Sequence, residues 1–297
     1  MPKIDEAWAG KRCDIAASAL LDETRSTIQR WIKDERLLIN GQPAKASQKM
    51  ALGDVLEVIY KAPEVIDLRP VDLALDILYE DADVAVINKP EGLTVHPAST
   101  TSEVTLVHGL LHQIKDLGAF DDAIRPGIVH RLDKDTSGAM VVAKHKAALL
   151  ALQADLKART VKRTYIALVK GHVAHEKGTI DAPIGRHPVK RQSMAVTPSG
   201  KPSITHFKVL EYLNDATLIE CHLETGRTHQ IRVHMAHIGH PVLGDPKYGS
   251  ALKEGVGQFL HARTLSFNHP RTHEALTFDA PIPEDFNALL AALKNPT

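Results

Sequence analysis

Nine consecutive residues, His130-Arg131-Leu132-Asp133-Lys134-Asp135-Thr136-Ser137-Gly138, set an imidazole, two cations, two carboxylates and two hydroxyls side by side. The apolar run Ala139-Met140-Val141-Val142-Ala143 follows at once and reads as a buried strand. A polar loop feeding such a strand is where a scaffold holds reactive groups in place. A carboxylate held there can move a proton or form a covalent bond. Two other stretches carry comparable chemistry. Arg163-Thr164-Tyr165 puts a cation and an aromatic phenol together, and Glu224-Thr225-Gly226-Arg227-Thr228-His229-Gln230-Ile231-Arg232-Val233-His234 mixes arginines with histidines.

Three chemistries compete for these residues. A metal site would draw on His229, His234, His237 and His240. No cysteine or His-Glu-x-x-His pattern accompanies them, and flanking arginines would repel a cation, so no metal is expected. A carboxylate pair, Asp133 with Asp135, would suit a glycosidase. Residues i and i+2 point the same way only on an extended backbone, and the Thr-Ser-Gly that follows argues for a loop, so Asp135 reads as loop structure. Ser137 lacks the Gly-x-Ser-x-Gly setting of a nucleophilic serine. The third chemistry is a single catalytic carboxylate, Asp133, kept charged by a nearby cation; unpaired in a partly buried pocket it would protonate.

Several elements must position these groups. Lys146 to Arg159 reads as an amphipathic helix with Leu149, Leu152 and Leu156 on one side. Lys162 to Val169 reads as a strand with Tyr165, Ala167 and Val169 on one face. Phe207–Tyr212 and Ala216–Leu223 form a hairpin around Asn214-Asp215. Thr228 is the expected N-cap of a helix that ends at Gly239, with Ile231, Met235 and Ile238 as its buried stripe and Arg232 able to reach inward. Further strands fall at Asp83–Asn88 and Leu260–Phe267, with helices at Val104–Ile114 and Glu284–Leu293. No regular βαβ rhythm appears, so the fold class is α+β with a mixed, largely antiparallel sheet.

Ahead of this lies a smaller α/β module over residues 11–60. It has a helix at Asp14–Leu21, a second at Arg25–Asp34 with Ile28, Trp31 and Ile32 as its apolar stripe, a Leu37–Gln42 strand at an Asn-Gly turn, and a closing strand at Val55–Ile59. Residues 61–76 carry prolines and acids and read as a linker, leaving 77–297 as the large domain.

The chain has 36 basic and 36 acidic residues, but they are not evenly spread. From Lys144 to Lys208 thirteen Lys/Arg face three acids, which suggests a local polyanion-binding face that includes the loop residues Arg186, Lys190 and Arg191. No apolar run approaches membrane-spanning length, and Met1 to Glu6 lacks a signal peptide's apolar region. The two cysteines are far apart, as suits a reducing compartment. A cytoplasmic protein is expected.

Taken together, Arg12-x-Asp14, Arg25-Ser26, Leu37-Leu38-Ile39-Asn40-Gly41 and Gly53-Asp54 resemble the S4 RNA-binding module, which implies that Arg12, Arg25 and Arg30 face RNA phosphates. The order His130-Arg131-Leu132-Asp133-x-x-Thr136-Ser137-Gly138, Arg163-x-Tyr165, Thr225 to His234, Gly239-His240-Pro241 with Gly244-Asp245, and Leu260-His261-Ala262 resembles the RluA family of pseudouridine synthases over about residues 77–282. Arg186-His187-Pro188, Met194-Ala195-Val196 and Gly200-Lys201-Pro202 are similar to its large-subunit rRNA synthase D branch. The resemblance implies the pseudouridine synthase fold, Asp133 as nucleophile, Tyr165 packed on the target base and Arg232 paired with Asp133. It implies that Arg131 fills the space a flipped base vacates, that no cofactor is needed, and that a monomer acts on large-subunit (23S) rRNA or a pre-ribosomal particle. A non-catalytic RNA-binding or assembly protein on the same fold, and a hydrolytic nucleosidase, are the alternatives; the first predicts loss of Asp133, Tyr165 or Arg232, and all three are present.

Overall fold

In the computed structural model the chain separates into two units, residues 1–65 and 66–297. The structure describes residues 2–60, 68–97, 103–117, 120, 122, 124–249, 251–252 and 257–294.

The N-terminal unit holds helices α1 (Cys13–Leu20) and α2 (Arg25–Lys33) and strands β1 (Leu37–Ile39), β2 (Gln42–Pro43) and β3 (Leu56–Val58). The Thr24 side chain caps α2 by accepting the Thr27 N–H, one of the donors a helix start leaves unpaired. Asn40 and Gly41 both take positive φ, 51° and 78°, as a two-residue hairpin turn requires, so β1 runs back antiparallel into β2. Cys13, Ile28, Trp31, Leu37 and Leu56 close a core of this unit's own. Each such side chain contributes roughly 1.5–3 kcal/mol when fully buried.

The large unit is built on a nine-stranded sheet. In chain order its elements are β4 (Asp76–Glu80), β5 (Val84–Lys89), α3 (Leu106–Gln113), β6 (Ser137–Ala143), α4 (Lys146–Ala158), β7 (Lys162–Lys170), β8 (Lys177–Asp181), β9 (Ile184–Arg186), β10 (Met194–Val196), β11 (Ile204–Leu213), β12 (Ala216–Leu223), α5 (Gln230–His237), β13 (Leu260–Asn268), β14 (Ala275–Asp279) and α6 (Glu284–Lys294). The sheet runs β4-β5-β6-β13-β7-β12-β11-β8 with β14 beside β13, and β9-β10 is a separate antiparallel pair. Among the described residues only β6 and β13 pair in parallel.

Alternation along the strands divides the core between two faces. Ala85, Ile87, Met140, Val142, Tyr165, Ala167 and Val169 join Leu106 and Leu110 of α3 and Ile231 and Met235 of α5. On the other side, Val84, Val86, Ala139, Val141 and Ala143 meet Ala148 and Leu152 of α4, while Ile166 and Leu168 meet Phe286 of α6. Both faces are covered, which is why β6 is buried at every position.

Several sequence expectations change here. Residues 61–67 of the expected linker lie outside the described residues. Of the rest, Val71 N–H donates to His108 O and Leu75 is buried against α3 in the large unit, because Leu73 and Leu75 supply apolar area the composition of that stretch conceals. Three strands, β8 to β10, occupy the stretch between the Lys162 strand and the Phe207 hairpin, where a basic loop alone is expected. Thr228 does not cap α5. His229 holds the N-cap position, at φ 58°, without a side-chain cap bond. Gln230 organises the turn instead, its Oε1 accepting from Arg227 N–H and the Thr225 hydroxyl. Lys144, counted in the cationic segment, is buried with its ammonium 2.7 Å from Glu80 Oε1.

Candidate active site

The residues before β6 converge with the starts of β7 and α5 on one cavity of about 490 Å³. Asp133, Tyr165, Arg232 and Arg131 all line it, as do His130, Arg163, Gln230 and His229. The sheet explains why. Strand β13 inserts between β6 and β7, and its Ala262 pairs with Gly138 on one side and Tyr165 on the other. This close approach needs glycine: at Gly138, with φ 117°, a Cβ would lie 2.2 Å from Ala262 O. Beside it Ser137 Oγ lies 2.9 Å from His261 Nδ1, and His261 Nε2 donates to Ala280 O, so the Nδ1 accepts from the serine.

Asp133 keeps 16 % of its side-chain surface exposed, toward the cavity. Its Oδ2 accepts from Arg232 Nη1 at 2.9 Å. Arg232 is held from behind by Asp245, which is fully buried. Nε donates to Oδ2 at 2.7 Å and Nη2 to Oδ1 at 2.9 Å, a two-pronged pair. Burial disfavours the Arg232 charge, but Asp245 and Asp133 together outweigh it and hold the guanidinium well above its ordinary range. Burial likewise works against the Asp245 carboxylate. Arg232 and the Lys247 and Tyr248 N–H groups more than offset it, and its pKa falls. The consequence is a permanent cation beside Asp133. The Tyr248 ring lies under this cation, with Arg232 Cζ 5.2 Å from its centroid.

Tyr165 is 6 % exposed. Burial raises its pKa, the Arg163 charge opposes, and Asp133 adds to the rise, so the phenol is protonated at neutral pH. Its rigid ring on one wall offers a flat apolar surface to a planar group. Below the site, Lys89 is fully buried and gives its three ammonium protons to the carbonyls of Pro90, Leu93 and Lys134 at 2.7–2.9 Å. Burial draws its pKa down to about 7 against the pull of Asp135, Asp133 and Glu91. Through the Lys134 carbonyl it anchors the loop that carries Asp133.

Of the residues expected to meet RNA, Arg131 is exposed and lines the cavity. Arg186, Lys190 and Arg191 are exposed on the β9-β10 connection, where Arg186 Nη1 donates to Arg191 O. They do not line the cavity. Arg12, Arg25 and Arg30 belong to the other unit. Arg12 and Arg25 both bind the buried Asp14, at 3.0 and 2.7 Å, while remaining about half exposed. The Arg12 hydrogen bond leads in pulling the Asp14 pKa down; burial opposes it, and Arg25 and Gln29 add to the fall. Arg30 is exposed in the last turn of α2.

Sequence reasoning missed the carboxylate behind Arg232, the lysine under the loop, and Arg163 as a site residue. Arg163 Nε is buried with no partner among the described residues. Its only sequence signal is its place in Arg-x-Tyr. Two of the four histidines weighed as metal ligands are engaged elsewhere. His234 is taken up by Thr205 Oγ1 and Ala182 O, and His240 Nδ1 by Lys170 O.

A partly exposed carboxylate held to an arginine, in a cavity also lined by Arg131, Arg159, Arg163 and Arg227, suits a polyanionic substrate. Residues 83–237 match the RNA pseudouridylate synthase family, and residues 14–56 match the S4 domain. The chain is 50 % identical over 279 residues to an uncharacterized RNA pseudouridine synthase, YlyB, of Bacillus subtilis, covering 94 % of this chain and 92 % of that one. It is 44 % identical over 300 residues to the ribosomal large subunit pseudouridine synthase D of Pseudomonas aeruginosa, covering 96 % and 92 %. Among solved structures, human RNA pseudouridylate synthase domain containing 1 aligns with a TM-score of 0.58 at 28 % identity, over 80 % of this chain and all of that one. The protein belongs to the RluA family of RNA pseudouridine synthases, in its synthase-D-like branch with an N-terminal S4 domain.

Proposed function

We propose that this protein isomerises specific uridines of large-subunit (23S) ribosomal RNA to pseudouridine, acting as a cytoplasmic monomer on the rRNA or a pre-ribosomal particle. The observation that carries this reading is Asp133, facing the cavity with one carboxylate oxygen held by Arg232 at 2.9 Å. In the reaction the C1′–N1 bond of uridine breaks, the uracil turns, C1′ joins C5, C5 gives up its proton and N1 gains one. Nothing is oxidised and no atom enters from outside, so the chemistry calls for no cofactor.

Asp133 is the nucleophile, with the Arg232 guanidinium as its counter-charge. Tyr165 packs against the uracil, which must leave its stack to reach the carboxylate. Arg131 at the rim takes the place of the departed base. Arg186, Lys190 and Arg191, and Arg12, Arg25 and Arg30 of the S4 domain, hold RNA through its phosphates. The relatives named synthase D of the ribosomal large subunit support the choice of RNA.

Chemical mapping of pseudouridine in 23S rRNA, from cells lacking the protein and after incubation with the pure enzyme, tests the reading. Asp133→Asn should bind the RNA with unchanged affinity and form no pseudouridine. Normal turnover by this variant would remove Asp133 from its role, and release of free uracil by the wild type would mark a hydrolase instead.

A further inference from the structure

The two oxygens of Asp133 differ in their surroundings. Oδ2 is bound to Arg232, so Oδ1 is the oxygen left to meet a substrate. The polar side-chain atom facing Oδ1 is His229 Nε2, 3.9 Å away, and His229 is itself only 16 % exposed. This histidine has the left-handed backbone conformation, φ 58°, at the start of α5.

The protons on the His229 ring follow from its neighbours. Tyr248 Oη accepts the Met194 N–H at 2.8 Å, and Tyr248 has one proton of its own to give. His229 Nδ1 lies 2.6 Å from that oxygen. With the Met194 N–H already given to this oxygen, the tyrosine proton is assigned to Nδ1, which accepts it. The neutral imidazole then carries its hydrogen on Nε2, pointing into the cavity toward Asp133 Oδ1. Burial favours the neutral ring, lowering its pKa against the pull of Asp133.

A gap of 3.9 Å is too long for a direct hydrogen bond and too short for a water-sized spacer in line. An oxygen about 2.8 Å from each atom fits at nearly a right angle, accepting from Nε2–H and donating to Oδ1. The ribose supplies such an oxygen. When Oδ1 approaches C1′, the hydroxyl on the adjacent carbon, C2′, comes beside Oδ1.

We propose that His229 is a specificity-determining residue that reads the 2′-hydroxyl of the target nucleotide, donating Nε2–H to it while the hydroxyl donates to Asp133 Oδ1. Tyr248 is the positioning residue that sets the histidine tautomer. The site thereby tells RNA from DNA at the nucleotide it modifies, the one group on which the two differ at every sugar. This inference rests on Asp133 acting at C1′ of a uridine, the function proposed above.

The test measures binding of the full-length protein to a product RNA, which is not turned over. The probe is a large-subunit rRNA stem-loop carrying pseudouridine at the mapped position, against the same stem-loop with 2′-deoxypseudouridine there. The wild type should prefer the ribose form by about fivefold or more. His229→Asn, which suits the left-handed backbone but cannot reach Asp133, should bind both alike. Tyr248→Phe, which keeps the ring under Arg232 but frees the tautomer, should fall between. A merely structural role would weaken both probes equally. A wild type without preference, or His229→Asn with undiminished preference, overturns the inference alone. Failure of the wild type to form pseudouridine in the unmodified stem-loop overturns the functional reading, and this inference with it.

Discussion

Arg232 serves two carboxylates at once, and only a guanidinium has the shape to do so. Nε and Nη2 grip Asp245 while Nη1 reaches Asp133. A lysine ammonium at the same place could satisfy one of them, and the other would be left charged and partly or wholly buried. Arg232→Lys should therefore lower turnover by at least about a hundredfold, and it should destabilise the fold by up to about 3–5 kcal/mol, the range for breaking a buried pair. Single-turnover kinetics and thermal denaturation measure the two effects. An unchanged rate would show that Asp133 acts without Arg232. At this scale the sequence was informative about Asp133, Tyr165 and Arg232, because each stands in a motif whose neighbours are themselves diagnostic. It marked Asp245 as part of the Gly244-Asp245 motif but not as the partner of Arg232, and it gave Tyr248 no role; the two come 13 and 16 residues after Arg232, past the end of α5, where no helical spacing rule links them. It was silent about the left-handed conformation of His229.

The junction of β6 with β13 is the element on which the site depends. Its side-chain link is His261, wedged between Ser137 and Ala280, with Arg263 also bonded to Ala280 O. Burial draws the His261 pKa down to about 4, the Ala280 hydrogen bond opposing and Arg263 adding. An unfolded histidine titrates near 6.5. Between about pH 6.5 and 4 the unfolded chain thus binds the extra proton and the folded one does not. The contribution of this group is complete above about 6.5 and is lost as pH falls toward 4, by up to about 1.4 kcal/mol per pH unit. Thermal denaturation across that window should show His261→Asn with a shallower acid decline than the wild type. An equal slope would mean that His261 is already protonated in the fold. Long, apolar elements such as β6, α4 and β7 were legible from periodicity. Helix α5 was legible only in part: residues Gln230 to Met235 are all buried, so its apolar stripe marks one buried face among several. Strands β8 to β10 escaped notice because they are short: β8 has five residues and β9 and β10 have three each, too few for a period to show.

At the scale of the whole chain, charge and core are allotted differently to the two units. The N-terminal unit closes its own core, and two of its three candidate arginines already have Asp14 as a partner. The large unit contains the cavity and, apart from the buried Lys144, most of the exposed cationic segment. A fragment of residues 66–297 should accordingly keep Asp133-dependent turnover at saturating RNA, with kcat within a few-fold. Its KM for the RNA substrate should rise by roughly ten- to a hundredfold, as expected when one of two linked binding modules is lost. Steady-state kinetics on both forms would reveal it. A collapse of kcat at unchanged KM would mean that the S4 domain takes part in the chemistry. The division into an S4-like and a synthase-like part was readable because each carries a compact set of motifs, whereas residues Val71 to Leu75 read as linker until their packing on α3 was seen.

The place of β13 also bears on the order of events during synthesis. Residues Leu260–Asn268 lie between the strand that follows Asp133 and the strand that carries Tyr165, and those two strands are not neighbours without it. A nascent chain emerges from its N-terminus, so the S4 domain can fold long before this late strand arrives. Closing a contact of more than a hundred residues between Ser137 and His261 is among the slower steps of such a topology. The chain can thus acquire affinity for RNA well before it acquires reactivity. The cavity between Asp133 and Tyr165 is therefore complete only once the chain has been made as far as Asn268.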